Sequence, residues 1–110
     1  MGRASACAQP WKELMYQAKL LINCTSIGMH PNSDATPVPK EALKKDMAVF
    51  DTVYNPIETL FLKQARDIGA KTIDGISLFV NQGSAQFKFF TGKDANTKLM
   101  RKTICDCMSA

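Results

Sequence analysis

Two rhythms of apolar residues run along the chain. A continuous apolar run at residues 19–23 (KLLIN), bounded by polar positions, predicts a short buried strand of the parallel-sheet kind. Residues 47–53 (MAVFDTV) predict a second strand. Asn55-Pro56 ends it, because proline lacks an amide donor and biases its predecessor toward extended geometry. Residues 71–73 predict a third. The intervening rhythm is helical: Ile57, Leu60, Phe61, Ala65 and Ile68 fall on one face, and Gly69 follows as a stop. Residues 75–91 repeat that period with Ile76, Phe79, Val80, Gly83, Phe87 and Phe90, closed by Gly92. Phe79, Phe87, Phe89 and Phe90 read as core. Asp94 or Asn96 caps a last helix whose inner edge is Met100, Ile104 and Cys107. Residues 11–18 read as the end of a helix, 25–39 as a loop and 40–43 as one helical turn.

Strands alternating with helical segments over short connections predict parallel strands joined by right-handed crossovers. The fold class is therefore α/β: the second half of a Rossmann-like doubly wound parallel sheet of about three strands, plus C-terminal helices, an incomplete domain. Such halves bind a nucleotide together with a partner half, yet the phosphate-cradling G-x-G-x-x-G turn is absent from this sequence. Three strands leave an open sheet edge through which the chain is expected to pair.

Composition narrows the function classes. One hundred and ten residues leave room for one small domain. No apolar run approaches the roughly 20 residues a membrane helix needs. The net charge of +4 comes from 14 basic and 10 acidic residues, scattered without a patch or stripe, which argues against nucleic-acid binding. Cys7, Cys24, Cys105 and Cys107 form no C-x-x-C pair and no zinc-ligand spacing. The first residues lack a secretory apolar region, and residues 2–7 are too short for a transit peptide. Reduced thiols in a reducing compartment, chloroplast or cytoplasm, are expected.

Open α/β sheets bind ligands beyond the carboxyl ends of their strands. Three strings sit there: N-C-T-S-I-G-M at residues 23–29, D-T-V-Y-N-P at 51–56 and D-G-I-S-L-F-V-N-Q at 74–82. Gly28 and Gly75 permit close approach of backbone to a ligand. Tyr54 offers a hydroxyl. Gln82 and Gln86, four apart on one helix, project amides suited to reading vicinal hydroxyls.

These strings, in this order, resemble the C-terminal part of shikimate dehydrogenase, which reduces 3-dehydroshikimate with NADPH. The stretch L-L-I-N-C-T-S-I-G-M-H-P and the later T-P-V-P-K-E-A-L-K look most like the dehydrogenase half of the plant-type enzyme fused to 3-dehydroquinate dehydratase. The resemblance covers residues 19–92, implying an NADP-binding half there, a divergent lead at 1–18 and a C-terminal helix at 93–110. It implies that Met29 packs near the nicotinamide, with Thr25 and Ser26 beside it. Thr52 and Gly75 would present backbone groups to that ring. Tyr54, Gln82 and Gln86 would face shikimate. Leu78 stands where many relatives have methionine. The family's catalytic lysine and aspartate, and its glycine-rich phosphate loop, map onto no residue of this chain. The implied cofactor is NADP and the implied partner is shikimate or 3-dehydroshikimate. A fragment of the related quinate dehydrogenase and a non-catalytic interaction module are the alternatives.

The remaining chemistry-bearing residues read as structural. His30 lacks partners for a dyad or a metal site. Cys105 and Cys107 lie about 200° apart around a helix. Asp51 and Asp74 read as strand-end caps or water contacts. Lys40, Lys44 and Lys45 read as solvated.

Overall fold

A computed structural model of the chain describes residues 11–109. The lead at residues 1–10, Cys7 included, lies outside the described residues. Helix α1 (Trp11–Gln17) leads into β1 (Leu20–Asn23). A loop carrying one 3-10 turn (Lys40–Ala42) connects to β2 (Ala48–Asp51). Then follow α2 (Leu60–Asp67), β3 (Lys71–Ile73), α3 (Gly75–Thr91) and α4 (Thr97–Ser109). The strands pair in parallel in the order β1-β2-β3. The register sets Leu21 against Val49 and Asn23 against Asp51, with Val49 also opposite Thr72.

The expected strands are present, two of them shorter than the apolar runs. The carboxylate of Asp51 accepts the amide of Val53 at 3.0 Å, which draws that amide out of the ladder and ends β2 at Asp51. Helix α2 starts at Leu60, not residue 57, because the Thr59 hydroxyl accepts the Leu62 amide and sets the cap there. Gly69 follows α2 at φ 86° and Gly92 ends α3 in the left-handed region at φ 73°, a conformation that side chains with a Cβ resist. Asn96 caps α4 by accepting the Leu99 amide at 3.0 Å. Asp94 instead pairs with Lys88.

A sheet whose strands advance in one direction by right-handed crossovers carries all its connections on one side. The core follows that rule. Leu43 and Met47 from the first connection join Phe61, Leu62 and Ala65 of α2 over Val49. Burying Phe61 and Leu62 stabilises the fold by about 1.5–3 kcal/mol each. Leu20 and Ile22 project from the opposite face and remain exposed.

Two expectations about the helices need correction. Phe79, Phe87, Phe89 and Phe90 are exposed rather than core. Only the first turns of α3, at Gly75, Ile76 and Val80, are buried, and every residue from Ala85 to Thr91 is exposed. Met100 and Ile104 are on the part-buried side of α4, but Cys107 is exposed; Arg101, Cys105 and Met108 complete that side.

Candidate functional site

The ends of β1 and β2 are tied by one buried carboxylate. Asp51 accepts from the Asn23 amide at 3.1 Å, from Val53 N at 3.0 Å and from the Thr59 hydroxyl at 2.7 Å. Three donors satisfy a fully buried acid, so it joins β1, β2 and the start of α2. Asn23 extends the network into the next loop. Its carbonyl oxygen accepts from Thr25 N and Thr25 Oγ1, and its amide also donates to Ile27 O at 3.0 Å. Thr52 donates from both N and Oγ1 to Asn23 O. His30 N donates to Asn55 O at 2.8 Å, fastening the same loop to the turn after β2. Asp51 thus caps the end of its own strand and also ties in Asn23 and Thr59.

The third strand end is built by close packing. A Cβ on Gly75 would stand 2.6 Å from Val53 O and 2.7 Å from Thr52 O. Only glycine lets the first turn of α3 sit against that backbone. Asp74 caps the helix through Ser77 N and Ser77 Oγ, both at 2.8 Å, and pairs with Arg101 of α4. Burial pushes the Asp74 carboxyl upward, but the hydrogen bonds from Arg101 and Ser77 outweigh it and hold the group below the usual carboxylate range.

Two adjoining hollows follow along this rim. A cavity of about 150 Å³ is lined by Thr52, Tyr54, Gly75, Leu78, Phe79 and Gln82. A groove of about 490 Å³ shares Thr52 and Tyr54 and adds Thr25, Ser26, Met29 and, from α4, Met108. The Tyr54 ring packs on Phe79 with centroids 5.0 Å apart. Cys24, which is exposed, and His30 also border the groove. Among the described residues no cluster of histidine, cysteine and acidic side chains could hold a metal. A further hollow of about 520 Å³, between α1 and the 3-10 turn, is far more apolar and lies away from the strand ends. There the Lys44 ammonium sits over the Tyr16 ring at 4.8 Å, so Lys44 is not simply solvated.

The structure thus brings together Thr25, Ser26, Met29, Thr52, Tyr54, Gly75 and Gln82. Gln86 is one turn further along α3, exposed and outside both hollows. Met108 was missed, because nothing in a helix pattern says that its last turn returns to strand ends far earlier in the chain. The Asn23–Asp51 pair was missed for the same reason, its partners being 28 positions apart.

Residues 75–105 match the family model of the shikimate 5'-dehydrogenase C-terminal domain. The chain is 48% identical over 99 residues to the shikimate dehydrogenase (NADP(+)) of Methanosarcina mazei, covering 90% of this chain and 35% of that protein. The chain is similar to the C-terminal part of shikimate dehydrogenase. A shikimate dehydrogenase solved with NADP+ superposes with a TM-score of 0.77 at 44% identity, covering 82% of this chain and 32% of that one. Quinate dehydrogenase from Corynebacterium glutamicum, solved with NAD, gives 0.82 at 35% identity, covering 90% and 35%. The chain spans about a third of the length of the curated relatives it matches. No helix among the described residues is long and apolar enough to cross a membrane.

Proposed function

We propose that the chain forms the nicotinamide- and substrate-facing rim of an NADP-dependent shikimate dehydrogenase. The observation that carries this reading is the convergence of Met29, Thr52, Tyr54, Gly75 and Gln82 along one rim at the strand ends. The hollows suit a nicotinamide ring: the adjoining cavity and groove hold about 150 and 490 Å³, with an apolar wall at Met29 and Leu78. They do not suit a pyrophosphate, since this sequence has no glycine-rich turn.

In this reading Thr25, Ser26 and Met29 flank the ring, and the backbones of Thr52 and Gly75 orient its amide. Tyr54 and Gln82 anchor the shikimate hydroxyls, with Gln86 as a second amide further along α3. Bound NADPH supplies the hydride for reversible reduction of the 3-keto group of 3-dehydroshikimate. This chain's residues hold and orient, and exclude water from the apolar wall. The proton for the new hydroxyl is the task of the family's lysine and aspartate, so the chain alone does not turn over. Residues 19–92 act as the NADP-binding half, residues 93–110 as its C-terminal helix, and β1 offers the sheet edge through which the chain pairs. Free thiols suit the chloroplast or cytoplasm. The plant-type placement rests on residues 20–31 and on the T-P-V-P-K-E-A-L-K stretch, whereas the relative named above is archaeal.

A quinate substrate is the second reading, favoured by the likeness to quinate dehydrogenase. Amide-resolved NMR titration of the purified chain separates them. NADPH should shift residues 25–29, 52 and 75, and shikimate should shift Tyr54 and Gln82. Shifts with quinate and not shikimate would select the second reading. No response to any of these ligands would leave the non-catalytic module.

A further inference from the structure

Met108 borders the groove although it comes from the last turn of the last helix. Its neighbours explain how it is held. Arg101, Ile104 and Met108 recur at i, i+3 and i+7, and all three are part-buried, whereas Lys102, Thr103, Asp106 and Cys107 are exposed. On that buried side the Arg101 fork reaches two acceptors at the start of α3. One nitrogen donates to Asp74 Oδ2 at 2.7 Å and the other to Ser77 Oγ at 3.1 Å. Two directional bonds from a planar group fix rotation as well as distance. Next to Arg101 in sequence, Met100 packs over Gly83, where an added Cβ would meet its methyl at 3.2 Å. That contact sets how close the helices lie but is apolar and tolerates sliding. From Arg101 to Met108 the helix rises about 10 Å, so a tilt of about 10° at Arg101 moves Met108 by about 2 Å.

We propose that Met108 is a wall of the ligand groove and that Arg101, through Asp74 and Ser77, is the positioning residue that holds it there. The wall assignment rests on the nicotinamide reading of the groove, against which a polarisable thioether packs well. The positioning assignment stands on the geometry alone. It makes α4 part of the site, coupling the N-terminal half of α3, where Gly75 and Gln82 line the cavity, to the groove beside Met29.

Methionine-methyl NMR on the chain tests both parts. In the free wild-type chain the Met108 methyl should show contacts to protons of residues 24–26 and 52–55. Arg101→Gln should abolish them while the Met47 methyl, buried in the core, keeps its shift; Arg101→Lys should restore part of them. Persistence of the contacts in Arg101→Gln overturns the positioning role, and if that variant does not fold, their full retention in Arg101→Lys does so. On adding NADPH the wild-type Met108 methyl should shift, and Met108→Ala should bind NADPH about fivefold more weakly. Unchanged affinity overturns the wall. If wild-type chain binds no NADPH, the cofactor reading and the wall fall together, while the ligand-free spectra still decide the role of Arg101.

Discussion

Leu21 packs against the buried core beneath α2, whereas Leu20 and Ile22, one position away on the same strand, remain 50% and 47% exposed. The two faces of the sheet share a backbone and a register, and their side chains are equally apolar. They differ in what the connections cover. Strands added in sequence order put both crossovers over the Leu21–Val49 face, leaving the Leu20–Ile22 face to whatever else meets the sheet. An apolar residue on a parallel strand therefore marks a surface meant for cover, and the topology decides whether the described chain itself supplies the cover.

Substitutions on the two faces should behave very differently. Phe61→Ala, on the covered side, should cost about 3–5 kcal/mol in urea unfolding, enough to leave little folded chain. A loss below about 1 kcal/mol would mean that α2 does not seal that face as described. Gly75→Ala tests the rim. Its methyl would meet the Thr52–Val53 backbone, so a loss of about 1–3 kcal/mol is expected, with shifted Tyr54 and Gln82 resonances. A silent Gly75→Ala would show that α3 is not seated against β2. The Asp74–Arg101 contact should give a smaller, pH-dependent effect. The Asp74 carboxyl is depressed below its ordinary 3.8, so its contribution is present above that value and is lost as pH falls through the depressed one. Asp74→Asn should flatten this part of the acid unfolding profile, and an unchanged profile would remove the contact from the stability balance. Least costly is Ile22→Thr on the open face, expected within about 0.5 kcal/mol of wild type. By light scattering the same variant should self-associate less; equal association would show that this face is not the sticky one.

Much of this architecture is legible before any coordinates, and the exceptions have physical causes. The third strand and α3 match residues 71–73 and 75–91 because Asp74 and Gly92 are unambiguous punctuation. The rim is legible because strand ends in open α/β sheets are where ligand-facing groups gather, and seven of the eight expected residues line the two hollows. The failures concern what faces what. Phe87 and Phe90 have the period of a buried stripe, but periodicity states only that residues share a side, not that anything lies opposite. Asn23, Asp51 and Thr59 look like ordinary polar residues until the fold brings them together, and Met108 looks like helix interior until α4 turns back on α3. Pairings across long stretches of chain leave no spacing to read.

Cys24 is exposed and lines the groove beside Thr25, while Cys105 and Cys107 lie on α4. That placement supplies a built-in occupancy gauge. Maleimide labelling at Cys24 should slow when a molecule settles against Met29, and the same peptide left unlabelled gives the reference signal. The occupied fraction then follows from the ratio of two peptide signals in a mass spectrum, with no need for turnover.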